Sequence, residues 1–392
     1  MQIAYTEAQR ELQRELREYF AALMTPERRD ALAGGIEAGG QQAYRDVVRQ
    51  MGADGWLGIS WPEQYGGQNR SMMEQLIFGD EASIAGVPVP FLTLNTVGPT
   101  IMEYGTDEQK EALLPKILRG ELHFAIGYSE PDAGTDLASL STRAERDGDE
   151  WVINGSKMWT SLIESADYVW LAARTDPTVA KHKGISVFLV PTTSPGFSYT
   201  PVRTLSGTTT SQTFYDDVRV PAGALVGEVN GGWRLVTGQL NRERVALCSP
   251  AGIQTALAET VEWASATHLA DGARVIDQQW VQSNLGRVHA KVEFLKLINW
   301  KIAWGVRNGV SPANASATKV FGTEFATEAY RLLMECFGDD AYVRSGSPGA
   351  IVKGRVERAY RSALILTFGG GTNEVQRDII AMVGLGMPRA PR

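Results

Sequence analysis

The sequence predicts an α+β protein in three parts: an N-terminal helical domain over residues 1–122, a middle antiparallel β domain over 123–231 and a C-terminal four-helix bundle over 232–392. The spacing of apolar residues along the chain predicts this division. Apolar residues recur at the helical period in the first part, alternate at period two in the second and return to the helical period in the third. The length of 392 residues also exceeds what one compact core accommodates.

In the N-terminal part, two expected helices begin at threonine caps. Thr106, followed three residues later by Gln109, is typical of a capping box and opens a helix that we expect to end at Leu118. The segment 31–42, rich in Gly and Ala, is expected to be a loop. The other helix follows Thr6 and has an apolar face of Leu12, Leu16, Phe20 and Leu23.

In the middle part, short β-type runs alternate with turn sequences such as Asp147-Gly148-Asp149 and Asn154-Gly155. Closely spaced strands between helical flanks favour an antiparallel barrel or sandwich. The runs are Phe124–Tyr128, Trp151–Asn154, Tyr168–Ala173, Ile185–Val190, Phe197–Val202 and Val218–Val220.

In the C-terminal part, the helical period is sustained over two long stretches. The first extends from Ile276 to Ile302 and the second from Ser316 to Phe337. Helices of this length are typical of a four-helix bundle.

Composition argues against several classes of partner. The net charge is −7 and Lys and Arg form no long block, which argues against a nucleic-acid or anionic membrane surface. No apolar run is long enough to span a membrane, and the chain starts without a secretory pattern, so we expect a cytoplasmic protein. The four histidines give no zinc spacing, and no metal site is expected. Cys248 and Cys336 are expected to be free, buried thiols.

An acidic residue interrupts an apolar helical stripe after Trp233. At helical spacing, Glu243 lies on the same stripe as Val236, Leu240 and Leu247. A buried carboxylate is costly unless it is paired or its pKa rises. Two interpretations stay open from this helix alone: a structural ion pair with Arg244, or a general base with a raised pKa.

Two stretches of the β domain have the composition of a ligand site. Residues 126–136 leave a strand and enter a turn of small residues, with hydroxyls at Ser129 and Thr135. Residues 157–161, Lys-Met-Trp-Thr-Ser, place an aromatic ring beside two hydroxyls, which suits a flat heteroaromatic cofactor. A capped surface turn and a core tryptophan are the plain alternatives.

A third stretch lies near the C-terminus, where Phe368-Gly369-Gly370-Gly371-Thr372 precedes Asn373-Glu374-Val375-Gln376-Arg377. Three glycines leave room for a close ligand, and Thr372 can cap the next helix and offer its hydroxyl to a phosphate. A plain turn between helices needs only one glycine.

Together these three stretches resemble the acyl-CoA dehydrogenase family over essentially the whole chain. They occur in that family's order, within a helical domain, a β domain and a second helical domain. The resemblance implies that family's fold and its oxidation of an acyl-CoA thioester to the trans-2-enoyl-CoA, with FAD as hydride acceptor. Thr372 and Glu374 would lie along the phosphate and ribose of FAD. The flavin ring would be held by Ile126, Tyr128, Ser129, Gly134, Thr135, Trp159 and Ser161.

The position of the base departs from many family members. They place a catalytic Glu directly before the Gly-Thr of the last motif, where this chain has Gly370. A second branch of the family carries its base on the helix after the β domain, at the position of Glu243. The resemblance therefore implies that Glu243 is the base, with Asn241, Arg244 and Gly370 beside the acyl-CoA.

The positions that serve a neighbouring subunit's FAD also depart from the family. Members usually present an Arg and a Phe where this chain has His268 and Asp271, and Asp339 and Asp340 stand in the turn that receives the pyrophosphate. Carboxylates repel a dianionic pyrophosphate. The chain is thus expected to hold one face of FAD and to need a second, related subunit for the other.

Residues 275–282, Val-Ile-Asp-Gln-Gln-Trp-Val-Gln, and the run Phe-Gly-Gly-Gly-Thr-Asn-Glu over 368–374 carry a closer resemblance, to actinobacterial dehydrogenases of sterol side-chain degradation, which form α2β2 complexes. This resemblance implies a bulky steroid side-chain substrate and an electron-transfer flavoprotein as acceptor. Two alternatives stay open: an acyl-CoA oxidase, and a non-catalytic assembly subunit.

Overall fold

The computed structural model describes residues 3–33, 40–246, 248–305 and 311–388, without the side chains of residue 33 and residues 240–246. The chain divides into two compact units, each considered by itself below. The first unit contains Met1–Arg17, Leu76–Gly86 and Arg244–Arg392. The second unit contains Glu18–Gln75 and Val87–Glu243.

Along the described chain, a group of helices precedes a group of strands and a second group of helices follows it, which confirms the α+β class. The helices are α1 (Glu7–Leu23), α2 (Pro26–Ala33), α3 (Gly40–Ala53), α4 (Met72–Ala85), α5 (Gly98–Tyr104), α6 (Asp107–Leu118), α7 (Gly232–Ala246), α8 (Ala251–Ala266), α9 (Gln279–Gly305), α10 (Pro312–Cys336), α11 (Arg355–Ala363) and α12 (Asn373–Ile379). The strands are β1 (Phe124–Gly127), β2 (Arg143–Asp147), β3 (Glu150–Lys157), β4 (Tyr168–Arg174), β5 (Ile185–Pro191), β6 (Phe197–Arg203), β7 (Thr209–Pro221) and β8 (Leu225–Val226).

Both predicted N-terminal caps are present. The Thr6 and Thr106 hydroxyls each accept a hydrogen bond from the peptide N–H three residues later. In each cap the side-chain oxygen of that later residue, a glutamine, accepts a hydrogen bond from the threonine N–H. The loop predicted over 31–42 is wrong at both ends, because α2 continues to Ala33 and α3 begins at Gly40. Alanine favours the helix at the first end; residues 34–39 lie outside the described part of the chain.

The strands of the second unit form one mixed sheet with the order β6-β7-β3-β2-β4-β5-β8, and β1 pairs with β4. The pairs β2–β3, β4–β5 and β6–β7 are antiparallel. The expectation of a purely antiparallel domain is corrected here, since β1 and β2 both pair with β4 in parallel. Strand β2 was missed because four of its five residues are exposed and it shows no apolar alternation.

In the first unit, α8, α9 and α10 share one apolar core. The predicted long helices are present, although α9 begins at Gln279 because Val275–Asp277 form a separate 3-10 turn. Cys248 and Cys336 are both buried in this core and neither forms a disulfide, as predicted. Within the described ranges, no helix is both long and apolar enough to cross a membrane.

Candidate functional site

The 126–136 segment begins on strand β1, where Ile126 lies opposite Trp170 of β4. Beyond the strand, the buried Tyr128 ring has its hydroxyl between two partners. The Trp170 Nε1–H donates to the Tyr128 hydroxyl at 3.0 Å, and that hydroxyl donates to Oε1 of Gln239 on α7. The segment is thus joined by its side chain to the helix that carries Glu243.

A buried ion pair holds the next residue of the segment. Lys157 Nζ, fully buried at the end of β3, lies 2.8 Å from Glu130 Oε1 and donates to the Tyr128 carbonyl at 3.0 Å. Ser141 and Thr142 also donate to the Glu130 carboxylate. Burial alone would raise the pKa of Glu130, but the Lys157 ammonium and these donors outweigh it and hold the pKa well below its usual range.

The aromatic ring of the 157–161 stretch is exposed. Trp159 has a positive φ of 67° and is 57% exposed, which is unusual for so large an apolar side chain. The next residues are fixed: Thr160 N–H donates to the Ser211 carbonyl at 2.8 Å, and the Ser161 hydroxyl lies 2.9 Å from that of Thr210. The alternative of a core tryptophan is therefore excluded.

The remaining residues predicted for the flavin ring leave space for a ligand. Gly134 and Thr135 are exposed, and a Cβ added at Gly134 would meet no atom within 4 Å. Ile126 and Ser129 are half-buried. An exposed indole face, hydroxyls and a small-residue turn are a donor set that fits a flat heteroaromatic ring such as the flavin of FAD.

An orphaned buried donor supports this fit. Gln239 is 1% exposed, and no hydrogen-bond partner is present for its Nε2 atom. Buried polar atoms without a partner are rare in folded proteins and often mark a place where a bound molecule supplies one. Gln239 precedes Glu243 by one helical turn of α7. The side chains of Glu243, Asn241 and Arg244 lie outside the described part of the chain, so their predicted roles stay predictions.

The glycine turn near the C-terminus belongs to the first unit. Gly370 and Gly371 have φ of 69° and 99°, conformations that favour glycine. Lys319, fully buried on α10, donates to the Gly371 carbonyl at 2.8 Å and to Asn373 Oδ1 at 2.7 Å. Thr372 caps α12 as predicted, because its hydroxyl accepts from the Val375 N–H.

The residues predicted to face a neighbouring subunit's FAD are exposed. His268 forms an isolated β-bridge with Arg274, and the Asp271 carboxylate accepts from the Ala273 N–H at 3.0 Å. Asp339 and Asp340 lie in the 3-10 turn Gly338–Tyr342 that follows α10. The exposed carboxylates of Asp339 and Asp340 would therefore repel an anion that approaches this turn.

The structure brings the predicted flavin-ring residues into the second unit and places Thr372, the exposed Glu374 and Gly370 in the first. Sequence reasoning missed three buried polar residues: Gln239, Lys319 and Lys157. A signal existed for Lys157, because it occupies an inward position of β3 where Trp151 and Ile153 are also buried. A lysine at such a position requires an anionic partner.

The chain matches three family models. They are the acyl-CoA dehydrogenase N-terminal domain over residues 6–121, the middle domain over 125–218 and the C-terminal domain over 230–385.

Individual relatives agree with these matches. The acyl-CoA dehydrogenase FadE26 of Mycobacterium tuberculosis is 64% identical over 400 residues, and the alignment covers 100% of both chains. A chain of the ChsE4-ChsE5 complex from Mycobacterium tuberculosis is similar with a TM-score of 0.94 and 65% identity, again over 100% of both chains. A chain of the Tcur3481-Tcur3483 steroid ACAD is similar with a TM-score of 0.92 and 48% identity over the same share.

Proposed function

Because this chain belongs to the acyl-CoA dehydrogenase family, we propose that it uses FAD to convert an acyl-CoA thioester to the trans-2-enoyl-CoA. FAD, when bound, accepts the β-hydrogen of the substrate as a hydride. The α-proton goes to the Glu243 carboxylate, and the electron pair of the α C–H bond becomes the new double bond. The proton and the hydride together account for the two hydrogens that the acyl chain loses.

The observation that carries this assignment is the face of α7. Val236 and Gln239 are both 1% exposed, and position 243 follows them at helical spacing on the same face. Position 370 offers no alternative base, since glycine has no proton acceptor. Its left-handed φ of 69° would also strain a glutamate there.

The residues of each unit that would hold FAD differ in what they offer. In the second unit, Trp159 would present an aromatic face to the flavin ring and Ser161 would present a hydroxyl. The 126–136 segment would let the ring approach closely, with contacts from Ile126, Tyr128, Ser129, Gly134 and Thr135. In the first unit, Thr372 and Glu374 would serve the phosphate and ribose. Asn241, Arg244 and Gly370 would bind the acyl-CoA.

The names of two similar proteins support a steroid substrate and a complex of two different subunits for this chain. One relative is called a steroid ACAD, and another belongs to a two-component complex. We propose a bulky steroid side-chain thioester as substrate, a related subunit as partner in an α2β2 complex, an electron-transfer flavoprotein as acceptor and a cytoplasmic location. Exposed Asp339 and Asp340 support the need for a partner.

The test is an anaerobic assay of the flavin-loaded assembly with a steroid side-chain CoA thioester. We expect loss of flavin absorbance and formation of one 2-enoyl-CoA per flavin. Absence of product from every acyl-CoA tried, with FAD bound, would contradict the proposal and favour a non-catalytic assembly subunit. Fast reoxidation of the reduced flavin by air in stopped flow would favour an acyl-CoA oxidase.

A further inference from the structure

Gln239 has one half of its amide bound by protein and the other half unused. Its Oε1 accepts from the Tyr128 hydroxyl, which itself accepts from Trp170 Nε1. An indole N–H can only donate, so the Tyr128 oxygen accepts that bond and its own proton is available to the glutamine oxygen. The other half of the amide, Nε2, has no hydrogen-bond partner among the described residues.

A second buried glutamine in the same unit shows the contrast. Gln109 is 7% exposed, and its Nε2 donates to the carbonyls of Gly223 and Leu225, both at 2.8 Å. Its Oε1 accepts from the Thr106 N–H. The fold therefore uses every polar group of one buried glutamine and leaves the donor of the other unused. An unmet buried donor destabilises a protein unless a ligand or water supplies an acceptor.

The position of Gln239 indicates which ligand supplies the acceptor for its Nε2 atom. Through Tyr128 it contacts the 126–136 segment, where we propose the flavin ring, and on α7 it lies one turn before Glu243. The ligands proposed for these two elements both carry carbonyl oxygens. We propose that Gln239 Nε2 donates a hydrogen bond to a ligand carbonyl, either on the flavin ring or on the acyl thioester. This inference rests on the proposed function.

Gln239→Glu tests the inference with little change of shape. The variant keeps an oxygen for the Tyr128 hydroxyl and replaces the N–H donor by a second oxygen. We would measure, in the flavin-loaded assembly that the wild-type chain forms, the dissociation constants of FAD and of the 2-enoyl-CoA product at pH 8 and pH 6. Loss of one hydrogen bond is expected to weaken one of these affinities about tenfold at pH 8. The effect should shrink at pH 6, because a buried carboxyl group takes up a proton and again donates.

The two measurements identify the source of the carbonyl. Weaker FAD binding with a shifted flavin absorption band assigns Nε2 to the flavin ring. Unchanged FAD binding with weaker product binding assigns it to the thioester. Gln239→Met, which is uncharged, should give the same assignment if the acidic variant does not fold.

Gln109→Glu is the matched control, since it loses two protein hydrogen bonds. It should lower the melting temperature and leave both ligand affinities of the folded protein unchanged. The inference is overturned if both Gln239 variants bind FAD and product within twofold of the wild type. A wild-type protein that binds no FAD, or dehydrogenates no acyl-CoA, instead overturns the proposed function, so the two failures are distinguishable.

Discussion

Lys157 and Glu130 form an ion pair of 2.8 Å with both side chains almost completely buried. The pair joins the end of β3 to the turn that follows β1. The same ammonium donates to the Tyr128 carbonyl, and the Met158 N–H donates to the Ser129 carbonyl at 2.8 Å. Residues 157–161 and the 126–136 segment are therefore held together by Lys157 and by the backbone of the next residue.

Lys157→Met is expected to lower the free energy of unfolding by about 3–5 kcal/mol, because Glu130 is left buried without its cation. Chemical denaturation of the apoprotein measures this. Lys181→Met is the control: its pair with Asp136 is more than half exposed, and its loss is expected to cost less than about 1 kcal/mol. Equal effects of the two variants would show that burial of the Lys157 pair is unimportant.

We expect the free energy of unfolding to decrease as the pH is lowered, because His123 takes up a proton more readily in the unfolded chain. Burial, with help from Arg45, lowers the pKa of His123 to about 4 from an ordinary value of 6.5. The unfolded chain therefore binds a proton first. The stabilisation that neutral His123 provides is complete above pH 6.5 and is lost as the pH falls to about 4.

His123→Phe removes this contribution and keeps the ring contact with Tyr44. Denaturation at several pH values should show a flatter profile for the variant between pH 6.5 and 4. Below pH 4 both proteins should lose stability alike, because the lowered pKa of Glu130 acts there in both. Parallel profiles over the whole range would mean that folding does not lower the pKa of His123.

The substrate is expected to be a CoA thioester with a polycyclic, steroid-like group. By resemblance, Gly370 stands where many family members have a glutamate, and we expect the missing side chain to leave volume beside the acyl chain. A competition assay should give a higher kcat/KM for a steroid side-chain CoA than for straight C4–C16 acyl-CoAs. A preference for octanoyl-CoA or palmitoyl-CoA would refute this.

Assembly is expected to require a second, related subunit. Expressed alone, the chain should purify largely without flavin, because we expect Asp339 and Asp340 to repel the pyrophosphate and, by resemblance, His268 to stand in place of an arginine. With its partner it should form a yellow heterotetramer with two FAD per four chains. Absorbance spectra and light scattering measure both. A stable homotetramer with four FAD and full activity would show that these residues are no obstacle.

Local patterns predicted much of the fold, and contacts distant in sequence explain the rest. The caps at Thr6 and Thr106, the long helices α9 and α10, and six of the strands follow from periodicity and turn chemistry. The acyl-CoA dehydrogenase fold is confirmed by the family matches. The parallel pairing of β1 with β4 has no local signal, because its hydrogen bonds join segments separated by the β2–β3 hairpin.

The motifs of the candidate site were identified from the sequence and stay predictions, whereas the contacts that support them were not predicted. The exposure of Trp159 and the cap at Thr372 agree with the motif analysis. The partners of Lys157 and Gln239 lie 27 and 111 residues away in the sequence, so no spacing rule pairs them. Lys319 was missed for the same reason, because its partners lie across the bundle at the glycine turn.

The turnover of Glu243→Gln, measured together with its bound FAD, tests the central claim most directly. Loss of a general base typically slows turnover by about 10²–10⁴-fold, and the amide preserves the shape of the side chain. Exposed Glu228, which precedes α7, provides the control Glu228→Gln, with activity expected to be unchanged. The account predicts an almost inactive Glu243→Gln variant with a wild-type FAD content. Substantial turnover, or a loss of FAD equal to the loss of activity, would contradict the assignment of Glu243 as the base.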